Sequence, residues 1–240
     1  MQKLHDNETL MYQIMTALYK SGIPIDYKGS MVLRAFLSGA DFEAMRHTRD
    51  MDANWISDTE PTSAQMTSSI QRAMDSAGLD VTVRQFREHG DGKSAGFEFF
   101  LPDQAEVAAY MDMDVNRPSY MSRVYEIGEF VFHGAVVEQM IADKLSALSG
   151  DKIFRRSKDL LDVYYISKVC ELDVAKVNDA LVKVGREIGT FDGLINRIDE
   201  LRHAYDKFKV DGDVEKPDFD TVFGAVVRYI EPFIDPGVMR

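Results

Sequence analysis

The stretch RDMDANW, residues 49–55, decides the fold of this chain together with YKGS at residues 27–30. In the first stretch Asp50, Asp52 and Asn54 alternate with apolar residues. Because successive side chains on a β-strand point to opposite faces, the alternation predicts a strand that carries both carboxylates on one face. Two negative charges held this close together favour the binding of a cation.

The YKGS stretch predicts a site for phosphate. Residues 25–28 are typical of a short strand, and Gly29 and Ser30 open a predicted helix that runs from Met31 to Leu37. The first backbone N–H groups of a helix attract anions, so a phosphate group could be held there. Glycine and serine before a helix also form ordinary turns and N-caps, and the residues alone leave that second interpretation open.

A second acidic strand repeats the pattern of the first. Between residues 105 and 115, Tyr110, Asp112 and Asp114 are predicted to share one face. Carboxylate oxygens suit Mg²⁺, which proteins commonly hold between a few carboxylates and the phosphates of a substrate. Two such ions can stabilise the attacking and leaving oxygens of a phosphoryl or nucleotidyl transfer. The alternative interpretation of Asp50 and Asp52 is a solvated polar strand face.

The order of predicted elements indicates an α+β protein. After a first helix, strands dominate up to about residue 134, and helices follow from there to the end. We therefore predict an N-terminal α/β domain with a mixed β-sheet over residues 1–134 and a C-terminal helical domain over residues 135–240. Predicted strands after the acidic one lie at 80–89, 95–101, 105–115 and 124–132. Predicted helices lie at 61–77 with Pro61 in the first position, and at 135–149, 156–169, 173–187, 191–208 and 218–231.

The composition excludes several classes of protein. The chain has 28 Lys and Arg against 40 Asp and Glu, a net charge of −12, which argues against a broad electrostatic grip on a nucleic-acid duplex. The single Cys170 forms no intramolecular disulfide, and a CxxC metal pattern is missing from the sequence. A polar start and the lack of a long apolar run predict a protein of the cytoplasm with no membrane span. P-loop, Rossmann and serine-hydrolase motifs are also missing.

The helical half carries two charges on predicted packed faces. Lys144 falls within the apolar stripe of the helix at 135–149, and Asp159 of the next helix is in line with Val163 and Ile166. A lysine on a packed face either pairs with a carboxylate or extends its amine to water. Asp159 could be that carboxylate, in a functional site or in an ordinary structural ion pair.

Four stretches of the sequence resemble the motifs of the AbiEii/AbiGii toxin family, in the order that the family shows. They are YKGSMVLR at residues 27–34, RHTRDMD at 46–52, EQMIADKLSAL at 138–148 and RSKDLLDVYY at 156–165. The first two are shared with the wider superfamily of polymerase-β-like nucleotidyltransferases, and the last two are more specific. The resemblance implies that residues 1–134 form a nucleotidyltransferase domain and that the chain transfers nucleotides.

The resemblance assigns roles to residues of the first two motifs and of the second acidic strand. Gly29 and Ser30 would bind the NTP substrate. Asp50 and Asp52 would ligate Mg²⁺. Asp114 would be the third metal carboxylate and the base that receives the proton of the incoming hydroxyl.

For two of the roles that the resemblance assigns, a second residue nearby in the sequence is an alternative candidate. Asp112 shares the predicted face of Asp114 and could take its place. Lys144 and Asp159 match the essential lysine and aspartate of the family, and the C-terminal domain would contribute both to the site. Asp162 recurs in the same motif, where it could serve a structural role.

The resemblance also implies a biological role and partners. Family members act as toxins of type IV toxin–antitoxin and abortive-infection systems, and they transfer a nucleotide from an NTP to the 3′ acceptor end of tRNA. A cognate antitoxin is therefore an expected partner. Alternatives are transfer to a hydroxyl of a protein or small molecule, and a catalytically silent nucleotide-binding module. Basic residues that could contact RNA are Arg46, Arg49, Lys152, Arg155, Arg156 and Lys158.

Overall fold

The computed structural model describes residues 6–40, 42, 48, 50–90, 93–210 and 215–237. Its strands are β1 (Ile25–Lys28), β2 (Asp50–Trp55), β3 (Thr82–His89), β4 (Ser94–Phe100), β5 (Ala109–Val115), β6 (Ser122–Ile127) and β7 (Phe130–Ala135). Its α-helices are α1 (Asp6–Lys20), α2 (Gly29–Gly39), α3 (Ser63–Ser76), α4 (Val137–Leu148), α5 (Ser157–Val169), α6 (Val174–Val184), α7 (Asp192–Asn196), α8 (Ile198–Lys207) and α9 (Phe219–Ile230). Short 3₁₀ helices cover Ile153–Arg155 and Glu231–Phe233.

The described strands form one mixed sheet in the order β3-β4-β5-β2-β1-β7-β6. The two acidic strands, β2 and β5, are parallel neighbours, whereas β1 runs antiparallel to β2 and parallel to β7. The α+β class and the mixed sheet are therefore confirmed. This order puts β2 in the middle, between β1 on one side and β5 on the other.

The described residues divide into two compact units. The first comprises 6–39, 48, 50–90, 93–117 and 122–135, and it contains the sheet with α1, α2 and α3. The second comprises 40, 42, 118–121, 136–210 and 215–237, in which every described element is helical. Residues 118–121 group with the second unit, where the Tyr120 N–H donates to Gln139 Oε1 over 2.7 Å. A division into functional domains at residues 134 and 135 stays a prediction.

The core of the first unit lies against the apolar face of the sheet. Met51, Ala53, Met111 and Met113 are at most 1% exposed, and α1 and α3 pack against strands of the sheet and against each other. On α1 the apolar residues at helical spacing are buried as well, namely Leu10, Met11, Ile14, Met15 and Leu18. The alternation of polar and apolar residues in β2 and β5 thus sorts the carboxylates to the other face.

The second unit is built from paired helices. Helix α4 packs against α5 and α6, and α5 also packs against α8 and α9. Within the described part of the chain, none of the helices has both the length and the apolar character needed to cross a membrane.

Several predicted boundaries are wrong for local reasons. The predicted strand 124–132 is the hairpin of β6 and β7, which turns at Gly128 with a φ of +61°. Thr62 forms a capping box with Gln65, so Pro61 precedes the N-cap instead of opening α3. The predicted helix 191–208 is interrupted at Arg197, which separates α7 from α8. The turn predicted at residues 89–92 lies partly outside the described residues.

Candidate active site

The predicted phosphate site lies at the start of a helix. Helix α2 begins at Gly29, directly after β1, and Ser30 is its second residue. Gly29 has a φ of +73°, a left-handed conformation that glycine adopts most readily. This sharp turn directs the first N–H groups of an 11-residue helix toward the end of β1. The predicted helix 31–37 therefore starts two residues earlier than expected.

Gly29 lies directly against the carboxylate of Asp52. A Cβ atom built on Gly29 would overlap the Asp52 Oδ2 atom and would lie 3.3 Å from its Cγ atom. In the sheet, Lys28 is the register partner of Asp52, so the chain passes this carboxylate just before α2 starts. The predicted phosphate site therefore meets β2 at the Asp52 carboxylate. We call β2 the DxD strand, after its residues Asp50, Met51 and Asp52.

Replacing Gly29 by alanine should lower the free energy of unfolding by about 2–5 kcal/mol. The left-handed backbone costs an L-residue about 1–2 kcal/mol, and crowding against Asp52 adds about 1–3 kcal/mol. Urea unfolding measures the change. Gly22→Ala is the matched control because Gly22 has a φ of +68° and nothing within 4 Å of a built Cβ atom. Equal losses in the two variants would show that contact with Asp52 contributes nothing.

The carboxylates of the two acidic strands share one face of the sheet. In the β2–β5 register Asp52 is opposite Asp112, and Asn54 is opposite Asp114. The burial pattern alternates as predicted, with Asp112 and Asp114 half-buried between fully buried methionines. Asn54 itself is 5% exposed and binds the backbone of Arg117 through two hydrogen bonds. Its Nδ2 donates to the Arg117 carbonyl, and its Oδ1 accepts from the Arg117 N–H.

Three cations that sequence reasoning did not single out bind the carboxylates of β5. Lys28 Nζ lies 2.6 Å from Asp114 Oδ2, and Arg117 Nε lies 3.6 Å from Asp114 Oδ1. Asp112 instead forms an ion pair with Arg87 of β3. The alternation in β1 could have indicated Lys28, because it puts that residue on the face opposite to the buried Tyr27. Asp112 and Asp114 therefore differ in their partners although they share a face.

Asp50 and Asp52 have the donor chemistry that Mg²⁺ prefers. Mg²⁺ is usually bound through one or two carboxylates plus substrate phosphates, and Asp52 touches Gly29 of the predicted phosphate site. Within the described residues, the side chains as they stand bring together no group of three or more His, Cys, Asp or Glu that could hold a metal. Asp114, which the family resemblance makes the third metal carboxylate, pairs with Lys28.

A neighbouring carboxyl on β1 has different properties. Asp26 is the register partner of Asn54. Burial raises the pKa of its carboxyl, while a hydrogen bond from Ser122 and the charge of His133 act to lower it. Burial therefore disfavours the ionised form of Asp26 relative to an exposed carboxyl.

A buried ion pair supports the strand and the helix that form the site. Glu8 of α1 and Arg34 of α2 are 1% and 2% exposed, and Arg34 Nη1 lies 2.7 Å from Glu8 Oε1. The same Glu8 oxygen accepts a hydrogen bond from the Thr48 N–H over 3.4 Å. The Thr48 hydroxyl in turn donates to Asp50 Oδ1 over 3.0 Å. This chain of contacts connects α2 to the first carboxylate of β2.

In the second unit, Lys144 lies between two carboxylates of α5. Its Nζ atom is 2.7 Å from Asp162 Oδ2 and 3.2 Å from Asp159 Oδ1. The predicted ion pair with Asp159 is therefore confirmed, and Asp162 is the closer partner. Asp162 is fully buried, whereas the side chains of Asp159 and Lys144 are 20% and 14% exposed. Arg156 Nη1 also approaches Asp159, at 3.5 Å.

The basic residues before α5 are mostly exposed. Lys152, Arg155 and Lys158 lie at the surface of the second unit, and Arg156 is half-buried. Exposed Phe154 lies among them, with the Arg155 guanidinium 5.5 Å from its ring centre. Arg46 and Arg49, which were predicted to lie beside the carboxylates, fall outside the described residues.

Comparisons with known proteins identify a family and a similar fold. The family described as "Nucleotidyl transferase AbiEii toxin, Type IV TA system" matches residues 28–225. Among solved structures, MenT4, a nucleotidyltransferase toxin of Mycobacterium tuberculosis, matches with a TM-score of 0.58 at 14% identity, covering 98% of this chain and 85% of that one. At this identity the likeness extends to the fold alone.

A further structure is less similar. An antigenic nucleotidyltransferase-like protein from Paracoccidioides brasiliensis matches with a TM-score of 0.46 at 13% identity, covering 91% of this chain and 97% of that one. No curated protein matches the sequence.

Proposed function

The chain belongs to the AbiEii family of nucleotidyltransferase toxins from type IV toxin–antitoxin systems, and from this premise we propose that it transfers a nucleotide from an NTP to the 3′ end of tRNA, with Mg²⁺. One observation carries the proposal. The start of α2 lies against the Asp52 carboxylate, so a triphosphate held by the helix would meet the DxD strand. A cognate antitoxin would control the activity, which we assign to the cytoplasm.

Residues of β1, α2 and β2 bind the nucleotide in this proposal. Gly29 and Ser30 hold the triphosphate through the helix N-terminus, while Asp50 and Asp52 ligate the metal. Thr48 fixes the orientation of Asp50 through its hydrogen bond to Oδ1. Mg²⁺ bound by Asp50, Asp52 and the phosphates would neutralise charge and make the α-phosphorus more electrophilic.

Asp114 serves as the base, and Lys28 holds it in position. The Asp114 carboxylate takes the proton of the 3′ hydroxyl, and that oxygen forms a bond to the α-phosphorus of the NTP. The bond between the α-phosphorus and the bridging oxygen breaks, and pyrophosphate leaves with that electron pair. Lys28 fits this role because its ammonium lies 2.6 Å from Asp114 Oδ2.

Lys144 and Asp159 act in the same reaction, as the family motif implies. Lys144 stabilises the charge that develops on the departing pyrophosphate. Asp159 orients Lys144 from the more exposed side, and the buried Asp162 holds it from within. This division assigns a functional role to Asp159 and a mainly structural one to Asp162.

Substituting the two aspartates by asparagine should separate these roles. Asp162→Asn is expected to lower the free energy of unfolding by about 1–3 kcal/mol, because a buried charged partner of Lys144 is lost. Asp159→Asn should change the free energy of unfolding by less than about 1 kcal/mol but reduce kcat at least about 100-fold. Urea unfolding and single-turnover transfer assays measure the two effects. A stable but inactive Asp162→Asn beside an active Asp159→Asn would reverse the assignment.

Contacts with RNA must be local because the chain carries a net charge of −12. Exposed Lys152, Arg155 and Lys158 offer a cluster of positive charge in the second unit. This cluster supports tRNA as the acceptor more than it supports a small molecule, which would need no such surface.

The test is a transfer assay with purified protein, Mg²⁺, each labelled NTP in turn and total tRNA. We expect label from at least one NTP at the 3′ end of tRNA, and growth inhibition by the wild-type protein that Asp52→Ala abolishes. Absence of transfer from every NTP, with growth inhibition that Asp52→Ala retains, would overturn the proposal. Label on a protein or small molecule instead of tRNA would identify a different acceptor.

A further inference from the structure

An exposed pair of aromatic rings lies on the carboxylate face of the sheet. Phe86 of β3 and Tyr110 of β5 are 42% and 38% exposed, and their ring centres are 6.0 Å apart in an edge-to-face arrangement. We call these two residues the aromatic platform. Large apolar side chains at the surface of a sheet cost solvation free energy, so an exposed pair calls for an explanation.

The local structure of β3 and β4 creates the aromatic platform. The register between these strands shifts between Gln85 and Arg87, so Phe86 is an extra residue in β3. Such bulges redirect side chains and are common beside active sites. Gly96 of β4 lies beneath, and a Cβ atom there would be 2.5 Å from Phe86 Cε1 and 2.7 Å from Arg87 Cγ. The bulge and the glycine together let both side chains lie over the sheet.

Two guanidinium groups flank the aromatic platform. The Arg87 guanidinium lies 4.9 Å from the Phe86 ring centre, and that of Arg84 lies 4.6 Å from the ring centre of Phe100. Asp112 pairs with Arg87, and Glu98 is the register partner of both Arg84 and Tyr110. Positive and negative charges are thus balanced here, and the exposed ring surface distinguishes the site from an ordinary charged surface.

The aromatic platform lies beside the DxD strand, on the side away from the phosphate site. Tyr110 is the register partner of Asp50, and neighbouring strands are about 5 Å apart. Strand β1, which leads into Gly29, pairs with the opposite edge of β2. In an in-line displacement the attacking and leaving oxygens lie on opposite sides of the phosphorus. Pyrophosphate held at the start of α2 therefore favours an acceptor that approaches from the side of β5.

We propose that the aromatic platform binds the single-stranded 3′ end of the acceptor RNA by stacking its terminal bases on Phe86 and Tyr110. The inference rests on the proposed transfer to RNA and adds the surface that holds the acceptor. Bases stack on exposed aromatic rings with little dependence on sequence, which suits a charge-balanced surface in an acidic protein. Stacking of the terminal bases would direct the 3′ hydroxyl toward Asp114.

The test combines RNA binding with steady-state kinetics on full-length variants. Phe86→Ala and Tyr110→Ala are each expected to weaken binding of a short single-stranded RNA with a free 3′ hydroxyl, and to raise KM for RNA, by about 5- to 150-fold. KM for the NTP and kcat at saturating RNA should change less than about twofold. Phe86→Trp and Tyr110→Phe preserve an aromatic ring and should bind the RNA nearly as well as the wild-type protein. Fluorescence anisotropy without NTP provides a readout that does not depend on activity.

The outcomes separate this inference from the proposed function. Val124→Ala, which alters an exposed apolar residue of β6, is the surface control and should not change RNA binding. A rise in KM for the NTP alone would mean that the rings hold the incoming base, and the inference would be wrong. Unchanged RNA binding in both alanine variants would also overturn the inference about the aromatic platform. Transfer to tRNA would still occur in that case, and the proposed function would stand. Transfer to a non-RNA acceptor would overturn both.

Discussion

Asp52→Asn is expected to reduce nucleotide transfer at least about 1,000-fold while leaving the protein folded. The substitution removes one of the proposed metal ligands, and a bound metal supplies several kcal/mol of transition-state stabilisation, with each 1.4 kcal/mol equal to a factor of ten. Asparagine has nearly the same shape, so its contact with Gly29 should persist. Single-turnover transfer of labelled nucleotide measures the effect, and thermal unfolding checks the fold.

Three further substitutions make this result specific. Asp80→Asn alters an exposed carboxylate in the same unit, outside the strands of the site, and should retain wild-type activity. Asp114→Asn should reduce kcat by about 10²- to 10⁴-fold if it is the base, and Asp112→Asn should reduce it less. An active Asp52→Asn enzyme would contradict the assignment of the metal site. A larger loss in Asp112→Asn than in Asp114→Asn would move the base to Asp112.

Arg34→Met is expected to lower the free energy of unfolding by about 3–5 kcal/mol. Glu8 is 1% exposed, so its charge cannot regain water when the guanidinium at 2.7 Å is removed. Methionine has a similar length and apolar character, so packing should change little. Because Glu8 also bonds the Thr48 N–H, the orientation of Asp50 should become less fixed, and kcat should fall as well. Urea unfolding at neutral pH measures the loss of stability.

A double substitution tests the electrostatic origin of that loss. Glu8→Gln combined with Arg34→Met removes both charges and should recover much of the stability that Arg34→Met alone loses. Arg72→Met is the control for removing an arginine from an exposed site of the same unit, and it should leave the urea midpoint nearly unchanged. If the double variant is no more stable than Arg34→Met, lost packing is responsible, and the buried charge is not.

The local sequence pattern was sufficient to predict most strands of the sheet and the turn at Gly29 and Ser30. Strand β1 has the predicted bounds, and both acidic strands have the predicted faces, because the period of two in side-chain direction is a local property. The hairpin of β6 and β7 was missed because apolar residues continue on both sides of the two-residue turn at Gly128 and Glu129 and hide it. The break at Arg197 was missed because the apolar period continues across it.

The partners of the site residues could not be predicted. Lys28 and Asp114 are 86 positions apart, and only the order β5-β2-β1 brings them within 2.6 Å. Arg87 pairs with Asp112 where β3 has a bulge at Phe86, and the sequence pattern does not indicate that bulge. The pairing of Arg34 with Glu8 also depends on how α1 and α2 pack. In each case the contact joins elements whose adjacency is a property of the whole sheet.

The sequence by itself determined the class of fold, the acidic strands, the glycine and serine before α2, and the family. These features depend on residue types and on their spacing along the chain, so they can be predicted without the tertiary structure. The tertiary structure alone decided that Gly29 touches Asp52 and that Asp112 and Asp114 take different cations. It also decided that Phe86 and Tyr110 meet beside the DxD strand. Strand order and register fix such contacts, because they bring together residues that are distant in the chain.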